Sequence, residues 1–318
     1  MEMFKVTLVD HEWEDLNIEE NLFSEAGVEL NILQSKNKED IIEAAKESDA
    51  LLVMYANIDR EIMESAPNLK LISRYGIGVN MIDVDAATEL GIQVANVNDY
   101  CIDEVSDHAL AGILAASRKL FEYNFHTEKG GWDFKSVARP LRASKAVVGL
   151  LGYGKIPKRL AAKLKVIGYQ VHAYDPFVSA EKMQEDGVVK ATVNELMEVS
   201  DFISVHVPLI EATHHLIGKE QFNLMKRSPY IINTARGPII DEKAMIAALE
   251  IGTISGAFLD VTEEEPLLDV HPLREMKNVI LSPHAAWYSE DAYREIREKA
   301  VQNLIEKSVG KKPTFALN

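Results

Sequence analysis

Cysteine occurs once in 318 residues, at Cys101, which excludes an intrachain disulfide and any site built from several thiolates. Long apolar runs are also missing: no stretch approaches the roughly 18–20 residues that a membrane-spanning helix needs. The opening, Met1 to Asp10, enters a strand-like apolar run with no basic leader in front of it, so a cytoplasmic location is expected. Positive charge is scarce too, with 34 Lys and Arg against 50 Asp and Glu and a formal net charge of −16. A field of that sign repels phosphate backbones and anionic lipid, so neither nucleic acid nor membrane is expected as a partner. It also repels an anionic substrate, so a carboxylate site must bring its own local cation. Metal ligation has little to draw on, because the adjacent imidazoles of His214-His215 are expected to point apart and no carboxylate cluster accompanies them. No metal is expected.

What is present suits a folded two-domain protein. The apolar fraction of 47% is ample for buried cores, and the length exceeds that of a typical single domain. Short β-branched runs alternate with helical patterns from end to end, the signature of parallel sheets covered by helices. Strands are expected at Phe4–Val9, Val28–Leu33, Ala50–Met54, Leu69–Ser73 and Gln93–Ala95, with helices over Glu39–Lys46 and Asp59–Ser65. A longer helix is expected from Cys101 to Leu120, because Val105, Ala109, Ile113, Ala116 and Leu120 recur on one face. From Phe121 to Ala143 the rhythm breaks, around Gly130, Gly131, Trp132 and Pro140. That segment reads as an arm towards a second subunit, or as a plain surface loop. Six further strands follow, at Ala146–Leu151, Gln170–Tyr174, Phe202–His206, Tyr230–Asn233, Ser255–Leu259 and Val279–Leu281. Helices over Ile156–Val166, Glu220–Met225 and Glu242–Glu250 lie between them, and the set fits a doubly wound dinucleotide fold. A last helix is expected to begin at Ser289, with Glu290 and Asp291 in its first turn.

The run Val147-Val148-Gly149-Leu150-Leu151-Gly152-Tyr153-Gly154-Lys155-Ile156-Pro157 reads as a strand, a glycine turn and a helix start. Gly152 permits the tight turn, and Gly154 lets backbone approach a pyrophosphate that the helix N-terminus favours. Pro157 stands where a third glycine is usual; proline is tolerated in a first turn. About 20 residues on, at the end of the next strand, Asp175 is placed to accept hydrogen bonds from ribose hydroxyls and to repel a 2′-phosphate, which favours NAD. A turn aspartate before Pro176 is the plainer alternative.

Three polar groups follow later strands: Arg236 in Asn233-Thr234-Ala235-Arg236-Gly237, Glu265 in Thr262-Glu263-Glu264-Glu265-Pro266, and His284 in Ser282-Pro283-His284-Ala285-Ala286-Trp287-Tyr288. Ligands of open parallel sheets gather beyond the carboxyl ends of strands, where these segments could converge. A guanidinium fork suits a carboxylate and its adjoining ketone. An imidazole suits proton delivery, and a neighbouring anion favours its charged form. Taken singly, Arg236 is equally a surface cation, Glu265 part of a solvated acidic run and His284 a polar turn residue. Tyr55, after the Ala50–Met54 strand, either reaches a substrate crevice or packs at the strand end.

Together these motifs resemble the D-isomer-specific 2-hydroxyacid dehydrogenase family, from about Ala50 to the last helix and most strongly from Ala146 to Tyr288. The resemblance implies an α/β architecture of two doubly wound parallel-sheet domains. A flavodoxin-like substrate domain would comprise residues 1–100 plus 288–318, and a Rossmann NAD-binding domain residues 101–287. It implies Arg236 for substrate binding and carbonyl polarisation, His284 as acid/base and Glu265 as its partner. Arg74, Ile77 and Gly78 would form the substrate loop. At the cofactor it implies Lys155 and Ile156 by the pyrophosphate, Asp175 at the adenosine ribose, and Val207, Pro208 and Thr213 on the adenine side. Thr234 and Ala235 would meet the nicotinamide ribose and Asp260 the carboxamide. It implies a homodimer, formed usually through the dinucleotide domain.

Two departures stand out: Pro157, and Asn98 where the family commonly has proline. Glu265 in place of the glutamine of formate dehydrogenases argues against formate. The lack of a long C-terminal extension argues against a serine-regulated phosphoglycerate dehydrogenase. Within the family, His284 to Glu290 and His214-His215-Leu216-Ile217 look most like the C-terminal binding proteins and their bacterial relatives. There the tryptophan borders the substrate, so Trp287 either caps a pocket for an apolar side chain or is a buried aromatic. The expected activity is hydride transfer between NAD(H) and a small 2-keto or 2-hydroxy acid. An NAD(H)-sensing, corepressor-like dimer and a short-form phosphoglycerate dehydrogenase are the alternatives.

Overall fold

The structure, a computed structural model, describes residues 3–318. It divides into two compact units: one runs to Cys101 and resumes at Ser289, and the other spans Ile102–Tyr288.

The first unit is built on β1 (Lys5–Leu8), β2 (Glu29–Ile32), β3 (Ala50–Val53), β4 (Leu71–Arg74) and β5 (Gln93–Ala95). All pair in parallel, in the order β2-β1-β3-β4-β5, the flavodoxin-like arrangement. β3 and β4 are buried at every residue, which is why their sequences, Ala-Leu-Leu-Val and Leu-Ile-Ser-Arg, are apolar runs rather than alternations. Side-chain caps start the surrounding helices: Asn37 for Lys38–Ala45, Asp59 for Arg60–Glu64, Asp83 for Val84–Glu89 and Ser289 for Glu290–Ser308.

The last of these helices lies on β4, with Ile296, Ala300 and Leu304 buried, and Ser73 Oγ donates to the Ala300 carbonyl at 2.9 Å. An ion pair fixes it to the first helix, Asn17–Ala26. Arg297, 2% exposed, donates from Nε and Nη2 to the two carboxylate oxygens of Glu19, which is 0% exposed, at 2.9 and 2.5 Å. Tyr75 Oη donates to Glu19 Oε1 at 2.9 Å, and the rings of Trp13 and Tyr293 flank the guanidinium.

The second unit carries β6 (Val147–Leu151), β7 (Gln170–Tyr174), β8 (Val189–Lys190), β9 (Phe202–Val205), β10 (Tyr230–Asn233), β11 (Gly256–Leu259) and β12 (Val279–Leu281). They form one parallel sheet in the order β12-β11-β10-β9-β6-β7-β8, the Rossmann order with one strand added. Sequence periodicity gives six of these seven; β8 is two residues long at the edge and too short to show a pattern. The helix after the glycine turn, Lys155–Ile167, keeps Pro157 in its first turn and buries it with Leu160, Ala161 and Leu164. Among the described residues no helix is long and apolar enough to cross a membrane.

The expected helix from Cys101 to Leu120 is corrected at its end. The helix runs Ile102–Arg118, Lys119 turns left-handed at φ 58°, and a second helix, Leu120–Glu128, begins. Val105, Ala109, Ile113 and Ala116 are buried as their spacing requires, while Leu120, beyond the break, is 55% exposed. The irregular segment expected from Phe121 is therefore helical at first.

Removing Arg297 alone strands a carboxylate in the first unit's interior. Arg297→Met should lower unfolding free energy in urea by about 3–5 kcal/mol, and the double variant Glu19→Leu/Arg297→Met should recover most of it. Equal midpoints for wild type and the single variant would contradict this account.

Candidate active site

In the second unit the candidate residues stand beyond the carboxyl ends of six strands, β6, β7, β9, β10, β11 and β12. After β6 the backbone turns at Gly152, φ +101°, where a Cβ would lie 2.9 Å from the His206 carbonyl. Only glycine tolerates both that conformation and that approach. Gly154 precedes the helix Lys155–Ile167, and a Cβ built on it meets nothing within 4 Å. That open space at a helix N-terminus suits a pyrophosphate.

Asp175, at the end of β7, steadies the turn. Its Oδ2 accepts the Tyr153 N–H and its Oδ1 the Phe177 N–H, both at 2.9 Å. Each carboxylate oxygen has further acceptor capacity for a ribose hydroxyl. After β9, Val207 is buried, and Thr213 Oγ1 closes the loop by donating to the Pro208 carbonyl at 2.6 Å.

The loop after β10 is strapped by Asn233, which sequence reading left unassigned. Its Oδ1 accepts the Ala235 N–H at 3.0 Å and its Nδ2 donates to the Arg236 carbonyl at 2.9 Å. Within this loop the Thr234 hydroxyl is buried without a hydrogen-bond partner. An orphaned buried hydroxyl calls for a ligand, and with the space at Gly154 it means that the residues present fit NAD. Arg236 is half-buried, and its Nη1 donates to the Ala235 carbonyl at 2.7 Å. Gly237 then passes so close to the next loop that a Cβ would fall 1.9 Å from the Thr262 carbonyl oxygen.

Asp260, after β11, is 2% exposed and organises the residues that follow β12. Its carboxylate accepts the Ser282 hydroxyl at 2.6 Å and the N–H groups of Ala285 and Ala286 at 2.8 and 2.9 Å, and its carbonyl accepts the His284 N–H at 2.8 Å. Held from both sides, His284 sits at φ 52°, unusual for a residue with a side chain. Its Nδ1 lies 2.7 Å from Glu265 Oε2, while Glu265 Oε1 accepts the Thr262 N–H at 3.2 Å. Partial burial pushes the Glu265 carboxyl up, but the His284 hydrogen bond and charge, the Thr262 N–H and the positive charge of Arg236 together hold it below the ordinary glutamate range. Arg236, Glu265 and His284 thus form one electrostatic cluster. Trp287 is partly buried, its ring edge-on to Tyr288 at 5.4 Å.

The first unit places its own candidates at the carboxyl ends of β3 and β4. Asp10 accepts the N–H groups of Met54, Tyr55 and Ala56 at 2.9, 2.7 and 3.1 Å and so shapes the loop after β3. The Tyr55 hydroxyl is pushed up to about 12, by burial first and then by Glu12. Arg74 is 8% exposed and folds over Gly76, where a Cβ would collide with its Nη1 at 1.7 Å. Asn96 Nδ2 and the Val97 N–H hold the carbonyls of Ile77 and Gly76 at 2.7 and 2.9 Å, fixing the loop that contains Gly78. Among the described residues no group of three or more His, Cys, Asp or Glu could hold a metal.

Sheet order, glycine turn and the strand-end cluster define a Rossmann dehydrogenase joined to a flavodoxin-like unit. Residues 110–286 match the model of the D-isomer specific 2-hydroxyacid dehydrogenase, NAD binding domain. A glyoxylate reductase of Korarchaeum cryptofilum is 36% identical over 288 residues, 89% of this chain and 86% of that protein. A D-3-phosphoglycerate dehydrogenase of Methanocaldococcus jannaschii is 36% identical over 311 residues, 97% of this chain but 57% of that longer protein. The solved D-lactate dehydrogenase from Aquifex aeolicus, complexed with NAD and lactic acid, superposes with a TM-score of 0.85 at 28% identity, covering 96% of both chains. The chain belongs to the D-isomer specific 2-hydroxyacid dehydrogenase family, with NAD as the cofactor of its second unit.

Gly237 supplies a local test. Gly237→Ala forces the Thr262 carbonyl away and should disturb Arg236 and Glu265 together. NADH-dependent turnover should fall at least tenfold, while the melting of the first unit stays unchanged. Wild-type kinetics in the alanine variant would refute the tight approach.

Proposed function

We propose that the protein reduces a small 2-keto acid to the 2-hydroxy acid, in the D configuration where that carbon is a stereocentre, and runs the reverse reaction, with glyoxylate, whose product is achiral, as the first substrate to try. The observation that carries this reading is the His284–Glu265 hydrogen bond of 2.7 Å with the charge of Arg236 acting on the same carboxylate. NAD(H), when bound, supplies or takes the hydride. Arg236 grips the substrate carboxylate and polarises the adjoining carbonyl. His284 gives its Nε2 proton to the carbonyl oxygen as the carbon gains hydride, and in the reverse direction takes it back. Glu265, kept ionised by its surroundings, fixes the ring through Nδ1 and stabilises the protonated form. The curated relatives named glyoxylate reductase support a two-carbon keto acid among the substrates. Asp175, with the N–H groups of Tyr153 and Phe177 on it, is proposed to hold the adenosine ribose, and the orphaned Thr234 hydroxyl the nicotinamide ribose. Tyr55, Arg74, the amides of Ile77 and Gly78, and Trp287 are proposed to complete substrate recognition.

A panel of 2-keto acids assayed with NADH and with NADPH tests this directly. His284→Asn should lower kcat by roughly 10²–10⁴-fold. Glu265→Gln should lower kcat and leave NADH affinity unchanged, because the imidazole loses the carboxylate that fixes its ring. Trp287→Ala should change the ranking of substrates. Tight NADH binding with no turnover of any keto acid would replace this reading with that of an NAD(H)-sensing binding protein.

A homodimer in the cytoplasm is proposed alongside. Trp132 and Phe134 are 94% and 75% exposed in the irregular segment of the second unit, two large aromatic side chains in one short loop that a partner could cover. The double variant Trp132→Ser/Phe134→Ser should halve the mass measured by light scattering; an unchanged mass would place the contact elsewhere.

A further inference from the structure

His214-His215 and the acidic run Glu263-Glu264-Glu265 have so far given the chemistry only Glu265. The fold brings the two motifs together, and the imidazoles of His214 and His215, expected to point apart, instead stack with ring centroids 4.0 Å apart. His215 Nε2 lies 2.8 Å from Glu263 Oε1, and the same oxygen accepts the Glu242 N–H at 3.2 Å. Glu242 reciprocates, its Oε2 accepting the Glu263 N–H at 3.3 Å, while its Oε1 lies 3.1 Å from His271 Nε2. Two imidazoles thus bracket two carboxylates, and each carboxylate caps the other residue's backbone N–H.

Backbone contacts run in parallel. His215 N–H donates to the Pro238 carbonyl at 2.8 Å, Ile217 N–H to Ile239 at 3.1 Å, and Asp241 N–H returns to Ile217 at 3.0 Å. His215 itself is at φ 51°, a conformation that a residue with a side chain holds only when its surroundings impose it. The segment Arg236 to Glu242 is therefore gripped on one side by residues 215–217 and on the other by residues 262–263, where Gly237 touches the Thr262 carbonyl. Arg236 opens that segment, and Glu265 stands two residues beyond Glu263.

We propose that His215, Glu263, Glu242 and His271 form a clasp that sets the Arg236 and Glu265 loops against each other, with Glu263 and His215 as positioning residues. This rests on the roles given above to Arg236 and Glu265. The clasp explains why an imidazole and a carboxylate outside the reacting cluster are held in a strained, doubly bonded arrangement. A carboxylate serving only solubility would have neither a backbone N–H nor an imidazole on the same oxygen.

The test uses the full chain with NADH. Glu263→Ala and His215→Ala should each lower kcat/KM for glyoxylate, or for the best keto acid of the panel, at least tenfold, with NADH affinity by fluorescence within about twofold. The double variant should be no worse than the worse single one, because both break the same contact. Glu263→Gln keeps the acceptor and should recover most of the loss, a rescue that general destabilisation would not show. Hydrogen exchange supplies a second readout that needs no turnover: Glu263→Ala should speed exchange at the Glu242 and Asp241 amides and leave β6 protected. Variants with lowered melting temperature but wild-type kcat/KM and pH profile would overturn the clasp, as would unchanged exchange at those amides. If wild type reduces no keto acid, the functional reading falls while exchange still decides the clasp.

Discussion

A buried carboxylate governs the chemistry-bearing end of the second unit. Asp260 has almost no access to water, and an anion there persists only if donors surround it. The donors it recruits are the Ser282 hydroxyl and the N–H groups of Ala285 and Ala286. That recruitment bends the chain after β12 around one side chain and leaves His284 at its crest. The imidazole then meets Glu265, whose loop is placed by the close passage of Gly237. Each group at the site is therefore located by a neighbour's unmet need for hydrogen bonds rather than by packing alone.

A consistent division of labour follows between residues that react and residues that arrange. Asn233, Asp260 and Asp10 share one device, a side chain at a strand end that binds backbone groups of a loop: Asn233 holds the loop after its own strand, while Asp260, after β11, and Asp10, after β1, hold the loops after the neighbouring strands β12 and β3. In parallel sheets, loops leave the carboxyl ends with unpaired backbone groups, and an Asx side chain there is the shortest means of satisfying them.

Much of this was legible in the amino-acid order. Fully buried strands such as β3 and β9 announce themselves as apolar runs, and Gly152 and Gly154 mark the turn because the geometry admits little else. The first helix was not among those expected: Ile18, Leu22, Phe23 and Ala26 recur at helical spacing, but the charged Glu19 stands among them on the buried face. The edge strand β8 is too short for any pattern, and the break at Lys119 involves a residue with no intrinsic preference for left-handed backbone. The role of Ser282 depends on Asp260, a residue distant in sequence. The Asn233 strap is local, an Asx side chain binding the backbone of Ala235 and Arg236.

The pairing of Glu19 with Arg297 has a consequence for synthesis. The two residues are separated by 278 positions, and the whole second unit lies between them. At roughly 5–20 residues per second, a ribosome exposes the glutamate on the order of tens of seconds before its arginine. For that interval the nascent first unit holds an unmatched anion where its core should close, so the middle of the chain is free to fold first and the beginning must wait for the end.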